Sequence, residues 1–146
     1  MATLNTTLTL TSTDAFATKT LNHSVTDALT VEAPLADIST MNTDDNIGNG
    51  PGIILAESTS TDTYFVYIKH TGKLADGTTS SHASTDFIKV TNADGDTDFI
   101  KLQPEEFAFF PLNPFDGSDG GVEPGGLKVE ANSSVVRIEF AYFKRS

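Results

Sequence analysis

The chain opens on a run in which polar and apolar side chains alternate. Between Thr3 and Thr11, the residues Leu4, Leu8 and Leu10 fall on one parity, while threonine and asparagine fill the other. A period of two residues is typical of a strand that buries one face. The pattern predicts a first strand here, with residues 1–11 acting as an extended arm or an edge strand.

Similar short runs follow, separated by turn-forming residues. The run at 64–70 is apolar on both parities, which predicts a core strand covered on both faces. In the run at 135–143 the apolar residues share one parity, which predicts one buried face and one wet face. Further strands are predicted at 20–25, 28–31, 38–41, 53–57, 86–90, 98–102 and 127–131, and between Pro104 and Pro111.

Two of these runs are near copies of each other. The sequence Asp-Phe-Ile-Lys-Val at 86–90 recurs as Asp-Phe-Ile-Lys-Leu at 98–102, and turn formers occupy 92–96. Two copies are too few for a repeat architecture, so the pattern predicts a hairpin of two similar strands.

The strand pattern as a whole predicts an all-β fold. Roughly eight to ten short strands joined by long loops, with no capped amphipathic helix, are typical of one antiparallel β-sandwich. We therefore predict a single β-sandwich domain over residues 1–146. The strand number and the lack of a Cys–Trp–Cys core favour a jelly roll over an immunoglobulin-like sandwich.

Charge and composition exclude several classes of partner. The chain has 20 acidic against 9 basic residues and a formal net charge of −11, so it cannot neutralise a run of phosphates. No run approaches the roughly 20 apolar residues of a membrane span, and the first residues lack the blocks of a leader peptide. We expect no nucleic-acid partner and no membrane partner. The absence of cysteine agrees with assembly in a reducing cytoplasm.

The predicted hairpin turn carries the sharpest candidate for a metal site. Asp94, Asp96 and Asp98 stand at alternate positions, and carboxylate oxygens are the ligands that Ca²⁺ prefers. Glu105 has the spacing of the last EF-hand ligand, but Phe99 replaces the glycine which that loop needs. The alternatives are a calcium site in a β-loop and a solvated acidic turn. The solvated turn is favoured, and no cofactor is predicted.

No enzyme signature is present. The chain lacks a Gly-x-Ser-x-Gly elbow, and His23, His70 and His82 are scattered, so we predict no catalytic residues. Aromatic residues near the proline-bracketed strand suggest either a sugar-binding platform or core and subunit contacts. Without tryptophan, the second interpretation is favoured. These aromatic residues are Phe107, Phe109, Phe110 and Phe115.

Three segments carry a resemblance to a known family. They are Phe-Val-Tyr-Ile-Lys-His-Thr-Gly at 65–72, Leu-Gln-Pro-Glu-Glu-Phe-Ala-Phe-Phe-Pro at 102–111, and 129–142 beginning Val-Glu-Ala. In their order and spacing they resemble small virion structural proteins of tailed bacteriophages, of the marine phage type, over about residues 53–143. Two positions depart from that pattern, with His70 in place of asparagine and Glu105 in place of glycine. The second departure predicts a type I turn after Pro104.

The resemblance implies a protein that acts by binding within a virion assembled in the host cytoplasm. The expected role is capsid decoration or cementing, with the major capsid protein or other virion proteins as partners. We expect a homotrimer seated on the capsid lattice through loops at one end of the sandwich. The alternatives are a tail- or fibre-associated virion protein and a calcium- or carbohydrate-binding β-sandwich module.

Overall fold

Antiparallel strands form the secondary structure. A computed structural model describes residues 2–16, 19–32, 38–46, 50–55, 63–82, 84–93, 97–112 and 126–145. Those ranges contain no helix and only antiparallel strand pairs, so the prediction of an all-β fold is confirmed. The strands are β1 (Ala2–Phe16), β2 (Lys19–Val31), β3 (Ser39–Asn42), β4 (Ile53–Leu55), β5 (Tyr64–Leu74), β6 (Ile88–Thr91), β7 (Asp98–Leu102), β8 (Phe107–Leu112), β9 (Leu127–Ala131) and β10 (Val136–Lys144).

The last eight of these strands pair in a nested order. β6 pairs with β7, β5 with β8, β4 with β9 and β3 with β10, as in one long hairpin folded between β6 and β7. Two further pairings, β5 with β10 and β6 with β9, gather the strands into two four-stranded sheets. The first sheet has the order β3-β10-β5-β8, and the second has the order β4-β9-β6-β7.

The two sheets pack against each other around one apolar core. Each strand contributes the side chains of one parity, as expected for a sheet with one covered face. The predicted hairpin of near-identical strands is confirmed as β6 and β7. The buried core residues are Met41, Ile54, Val66, Ile68, Ile88, Val90, Leu102, Leu127, Val129, Val136, Ile138 and Phe140.

Strand β5 is a core strand, but the prediction that both its faces are covered is wrong for most of its length. Val66 and Ile68 are fully buried, whereas Tyr67 and Lys69 on the opposite face are half-buried. Only Phe65 is buried on that opposite, outer face. The outer face belongs to a sheet with one free surface, so apolar residues there do not imply a second covering layer.

The first two strands form a separate two-stranded sheet, which we call the arm. The two short strands predicted at 20–25 and 28–31 are in fact one continuous strand, β2. Asp27 does not interrupt it, because Asp27 pairs with Thr6 in register and its exposed carboxylate reaches solvent. A charged side chain breaks a strand only where the sheet would bury it.

The turn between β7 and β8 differs from the one predicted. The Glu106 N–H donates to the Gln103 carbonyl at 3.0 Å, which closes a turn with Pro104 and Glu105 at its centre. Glu105 has a φ of 72°, so the turn is type II and not type I. The Glu105 N–H also donates to the His70 carbonyl at 2.9 Å. That neighbouring hydrogen bond holds a non-glycine residue in the left-handed region.

Replacing Glu105 by glycine is expected to stabilise the chain. A left-handed conformation costs an L-residue roughly 1–2 kcal/mol, and glycine's greater freedom in the unfolded chain offsets part of the gain. The Glu105→Gly variant should therefore gain about 1 kcal/mol in its free energy of unfolding in urea. A Glu106→Gly control, next to it at an ordinary φ, should lose stability. Destabilisation of both variants would contradict the strained turn.

An aspartate organises the turn after β5. Asp76 Oδ1 accepts the backbone N–H groups of Thr78 and Thr79, both at 2.8 Å, and Oδ2 accepts the Thr79 hydroxyl at 2.5 Å. The Thr79 hydroxyl, followed by the two N–H groups, lowers the pKa of Asp76 from 3.8 to about 2. The ionised carboxylate is therefore the form that stabilises the turn.

Acid is expected to remove this contribution. Because the folded pKa of Asp76 lies below its ordinary value, its stabilisation is full above pH 3.8 and is lost as the pH falls to about 2. The melting-temperature advantage of the wild type over Asp76→Asn should therefore shrink over that window. The pKa of Asp86 is also lowered, chiefly by the His82 N–H, but both proteins share that effect. A constant advantage across the window would contradict the assignment.

Candidate functional site

The arm has one apolar face and one hydroxyl-rich face. Residues directly opposite each other in a hairpin project to the same side, so the register assigns the two faces. On the polar face, Thr7 and Thr26 join their hydroxyls at 3.0 Å, and Thr9 and Ser24 do so at 3.2 Å. The apolar face carries Ala2, Leu4, Thr6, Leu8 and Leu10 from β1, opposite Val31, Leu29, Asp27, Val25 and His23 from β2.

Burial along the apolar face decreases from the base of the arm outwards. Val31 at the base is 2% exposed, and Leu4 and Leu29 are half-buried. Farther out, Leu8 is 48% exposed and Val25 is 51% exposed. A lone two-stranded hairpin is at best marginally stable in water. The outer half of the arm therefore presents an apolar strip that the described part of the chain does not cover.

The base of the arm joins the first sheet at the end of β10. Val31 forms a bridge with Arg145, and the Glu32 N–H donates to the Lys144 carbonyl at 2.9 Å. Glu32 and Lys144 also form an ion pair at 3.4 Å, which contributes little because Glu32 is exposed. Backbone pairing and the burial of Val31 thus anchor the arm to the sandwich.

A second exposed apolar surface lies on the outer face of the first sheet. The register places Tyr67 opposite Phe109 and Lys69 opposite Phe107 on this face. Phe107 is 61% exposed and Phe109 is 39% exposed, although both rings touch aromatic neighbours on β5. The Phe65 and Phe109 rings stack at 6.0 Å, and those of Tyr67 and Phe107 lie 6.4 Å apart. We call Phe65, Tyr67, Phe107 and Phe109 the aromatic strip.

A polar group borders the aromatic strip. The Tyr67 hydroxyl donates to Glu139 Oε2 at 3.5 Å. Partial burial, followed by the nearby Glu139 charge, raises the pKa of Tyr67. The hydroxyl therefore stays protonated at neutral pH and remains a donor. Such a pairing of flat apolar rings with a polar rim is typical of a contact surface.

A small cleft separates the arm from the aromatic strip. It has a volume of about 310 Å³ and is lined by Asp27, Ala28, Leu29, Thr30, Phe65 and Arg145. The Arg145 guanidinium lies 5.8 Å from the centre of the Phe65 ring, within the range of a cation–π contact. The described lining of the cleft thus includes a cationic and an anionic residue, but no nucleophile paired with a base.

The three aspartates considered as calcium ligands are only partly placed. Asp94 and Asp96 lie outside the described residues. Asp98 Oδ2 pairs with Lys89 Nζ at 2.6 Å, and this contact raises the pKa of Lys89. The residues with assigned positions contain no group of three possible metal ligands. The calcium site therefore stays the untested alternative to a solvated turn, and one of its three carboxylates is paired to a lysine.

His70 has a structural role in the core. It is fully buried; its Nε2 lies 2.5 Å from the Asp86 carbonyl, and its Nδ1 accepts the Gly72 N–H at 3.1 Å. The Nε2 contact thus holds β5 against the segment before β6, and the Nδ1 contact fixes the ring within β5. In that arrangement Nε2 carries the proton, so the ring is a neutral donor and acceptor.

His82 is exposed, and its surroundings do not form a catalytic triad. The Ser84 hydroxyl lies 2.9 Å from His82 Nδ1. The Asp86 carboxylate accepts the backbone N–H of His82 at 2.6 Å, so it does not orient the imidazole ring. A triad needs a carboxylate on the other ring nitrogen. This is a locally hydrogen-bonded loop.

The aromatic residues predicted between the prolines divide between two environments. Phe110 packs against the core, whereas Phe107 and Phe109 are on the outer surface. Phe115 lies outside the described residues. Sequence reasoning did not single out His23 and Asp27 as a pair on one face of the arm. The sequence pattern could have shown this, because His23 and Asp27 stand two residues on either side of Val25 and so share its parity.

Comparisons with other proteins add no family assignment. No protein-family model matches the chain, and searches of curated proteins and of solved structures likewise give no match. Within the described segments, no helix is long and apolar enough to cross a membrane.

Proposed function

We propose that the chain is a virion structural protein of a tailed bacteriophage, and that it decorates or cements the capsid by binding the major capsid lattice. The observation that carries the proposal is the arm, whose outer half keeps leucine and valine side chains about half exposed. An uncovered apolar ribbon on a folded sandwich is a binding element. It suits a protein that acts by holding other subunits.

The sandwich supports the proposal as a scaffold. Eight nested strands in two sheets are typical of a jelly roll, a fold common in capsid proteins, so they favour that prediction over an immunoglobulin-like sandwich. The proposed assembly remains a homotrimer. The loop at 113–125, which is predicted to contact the lattice, lies outside the described residues. The arm and the aromatic strip therefore support the proposal of lattice binding instead.

Co-sedimentation with capsids tests the proposal. Purified chain should pellet with particles that lack it and saturate at a stoichiometry proportional to the number of capsid subunits. A chain that pellets only with isolated tails would move the proposal to the tail- or fibre-associated alternative. Failure to bind any virion component would contradict a structural role in the particle.

A carbohydrate-binding module is the second candidate, favoured by the aromatic strip. Exposed Phe107 and Phe109 rings beside the Tyr67 hydroxyl form an apolar platform with a polar rim. Titration of a glycan panel against the isolated chain tests this function. Binding that is lost in Phe107→Ala, and is independent of capsids, would favour it over the virion role.

A further inference from the structure

We propose that the arm binds the arm of a second copy of the chain, apolar face to apolar face. The two arms run antiparallel and are related by a two-fold axis that passes through the Leu8–Val25 row. This inference goes beyond the proposed capsid function by naming the occupant of the arm's apolar face as a second copy of the chain, so that the arm would strengthen capsid binding by linking neighbouring copies. It holds or fails in the purified chain, whether or not capsids are present.

The positions of one imidazole and one carboxylate on the apolar face select the partner. Successive rows on one face are spaced about 6.8 Å apart, two residues at about 3.4 Å each. Asp27 lies one row from Val25 towards the base, and His23 lies one row from it towards the tip. They are thus about 14 Å apart on their own arm, too far to pair. Neither side chain has an ion pair or hydrogen bond among the described residues.

A two-fold axis across the strands brings the imidazole and the carboxylate together. The axis lies between the faces and runs perpendicular to the strands, so β2 of one copy covers β2 of the other. Val25 then meets its own counterpart, and His23 faces Asp27 of the second copy. The symmetry repeats this contact on the other side of the axis. The result is an isologous interface, with leucine and valine side chains at its centre and one imidazole–carboxylate contact on each side.

The parallel alternative lacks this complementarity. If the axis ran along the strands, β2 would cover β1 of the second copy. His23 would then face Leu10, and Asp27 would face Thr6. A carboxylate in an apolar contact without a charged partner is costly. The positions of His23 and Asp27 therefore favour antiparallel arms.

The contact between the two arms is limited to the middle of each arm. It leaves the sandwich free to join larger assemblies. Two-stranded ribbons twist strongly, so tight packing is expected over the Leu8–Val25 row and the row on either side. The polar face with its hydroxyl pairs stays outside. In a homotrimer, each arm would pair with an arm of a neighbouring trimer, which would link decorations to one another.

Disulfide trapping tests this geometry in the full chain, which has no cysteine of its own. A disulfide needs Cα atoms within about 7 Å, which two packed sheets reach where they come locally closer, as in the inter-sheet disulfide of immunoglobulin domains. Val25→Cys should form a covalent dimer under mild oxidation. His23→Cys and Asp27→Cys should each stay largely monomeric when alone. A mixture of those two variants should give at least tenfold more dimer than either variant alone.

Two control reactions separate the proposal from random collision and from the parallel geometry. Thr26→Cys, on the polar face next to Val25, should give no dimer above background. A mixture of His23→Cys with Leu10→Cys should likewise give none. Dimer in that mixture would overturn the antiparallel contact. So would equal amounts of dimer from Thr26→Cys and Val25→Cys, or no dimer from Val25→Cys.

A charge exchange provides an independent test without cysteine. His23→Asp places a carboxylate opposite Asp27 of the second copy and should weaken association at least tenfold in sedimentation equilibrium. The double variant His23→Asp/Asp27→His restores opposite partners and should recover most of the loss. If the double variant is as weak as the single variant, the two residues do not face each other.

Discussion

The double variant Leu8→Asp/Val25→Asp is expected to lose binding to capsids while its sandwich remains folded. Both side chains are about half exposed at the centre of the arm's apolar face, so the folded monomer loses little burial. In a complex each would bury its remaining exposed half, worth about 0.8–1.5 kcal/mol. The loss of two such contacts corresponds to roughly 10- to 10²-fold in affinity.

A matched variant controls for the added charge. Thr7→Asp/Thr26→Asp introduces the same two carboxylates in an adjacent row, but on the polar face. It should retain binding to within roughly threefold, less than 1 kcal/mol. Capsid co-sedimentation measures affinity, and the urea unfolding midpoint of the sandwich verifies folding. Equal loss in both variants would show that the arm acts through charge, and would contradict a role for its apolar face.

Gly52→Ala is expected to cause the largest loss of stability. Gly52 has a φ of 71°, and a Cβ there would lie 2.3 Å from the Val129 carbonyl oxygen and 2.9 Å from that of Thr43. The Val129 N–H also donates to the Gly52 carbonyl at 2.9 Å, which joins β9 to the start of β4. The methyl group must therefore displace backbone at the edge of the second sheet.

Two contributions set the expected loss of stability in Gly52→Ala. The left-handed conformation costs alanine roughly 1–2 kcal/mol, and a backbone shift in a packed region costs typically about 1–3 kcal/mol. We expect a loss of about 3–4 kcal/mol in the free energy of unfolding in urea. Gly50→Ala is the control, because its Cβ would meet only the end of the Ile53 side chain, at 3.1 Å. Equal losses in both variants would contradict the close approach at Gly52.

Local patterns predicted the parts of the fold that depend on neighbouring residues. The alternation of Leu4, Leu8 and Leu10 predicted a strand with one apolar face, and the Asp-Phe-Ile-Lys repeat predicted the β6–β7 hairpin. Both features come from side-chain period and turn composition. Asp27 misled the prediction, because a turn-forming residue can also lie at an exposed position within a strand.

Long-range features were not predictable in the same way. Thr40 pairs with Glu139, which lies almost at the other end of the chain, and no local pattern encodes which distant strand supplies an edge. The left-handed Glu105 depends on a hydrogen bond to the His70 carbonyl, which exists only once β5 and β8 have paired. The exposure of Phe107 likewise follows from the edge position of β8, not from its composition.

Copy number and position in the particle test the central claim most directly. Quantitative mass spectrometry and cryo-EM of purified virions from the genome that encodes this chain would provide both. We expect a copy number proportional to that of the major capsid protein, with density for the sandwich on the capsid surface and its arms reaching neighbouring subunits. Absence of the chain from purified virions, or only a few copies per particle, would contradict that claim.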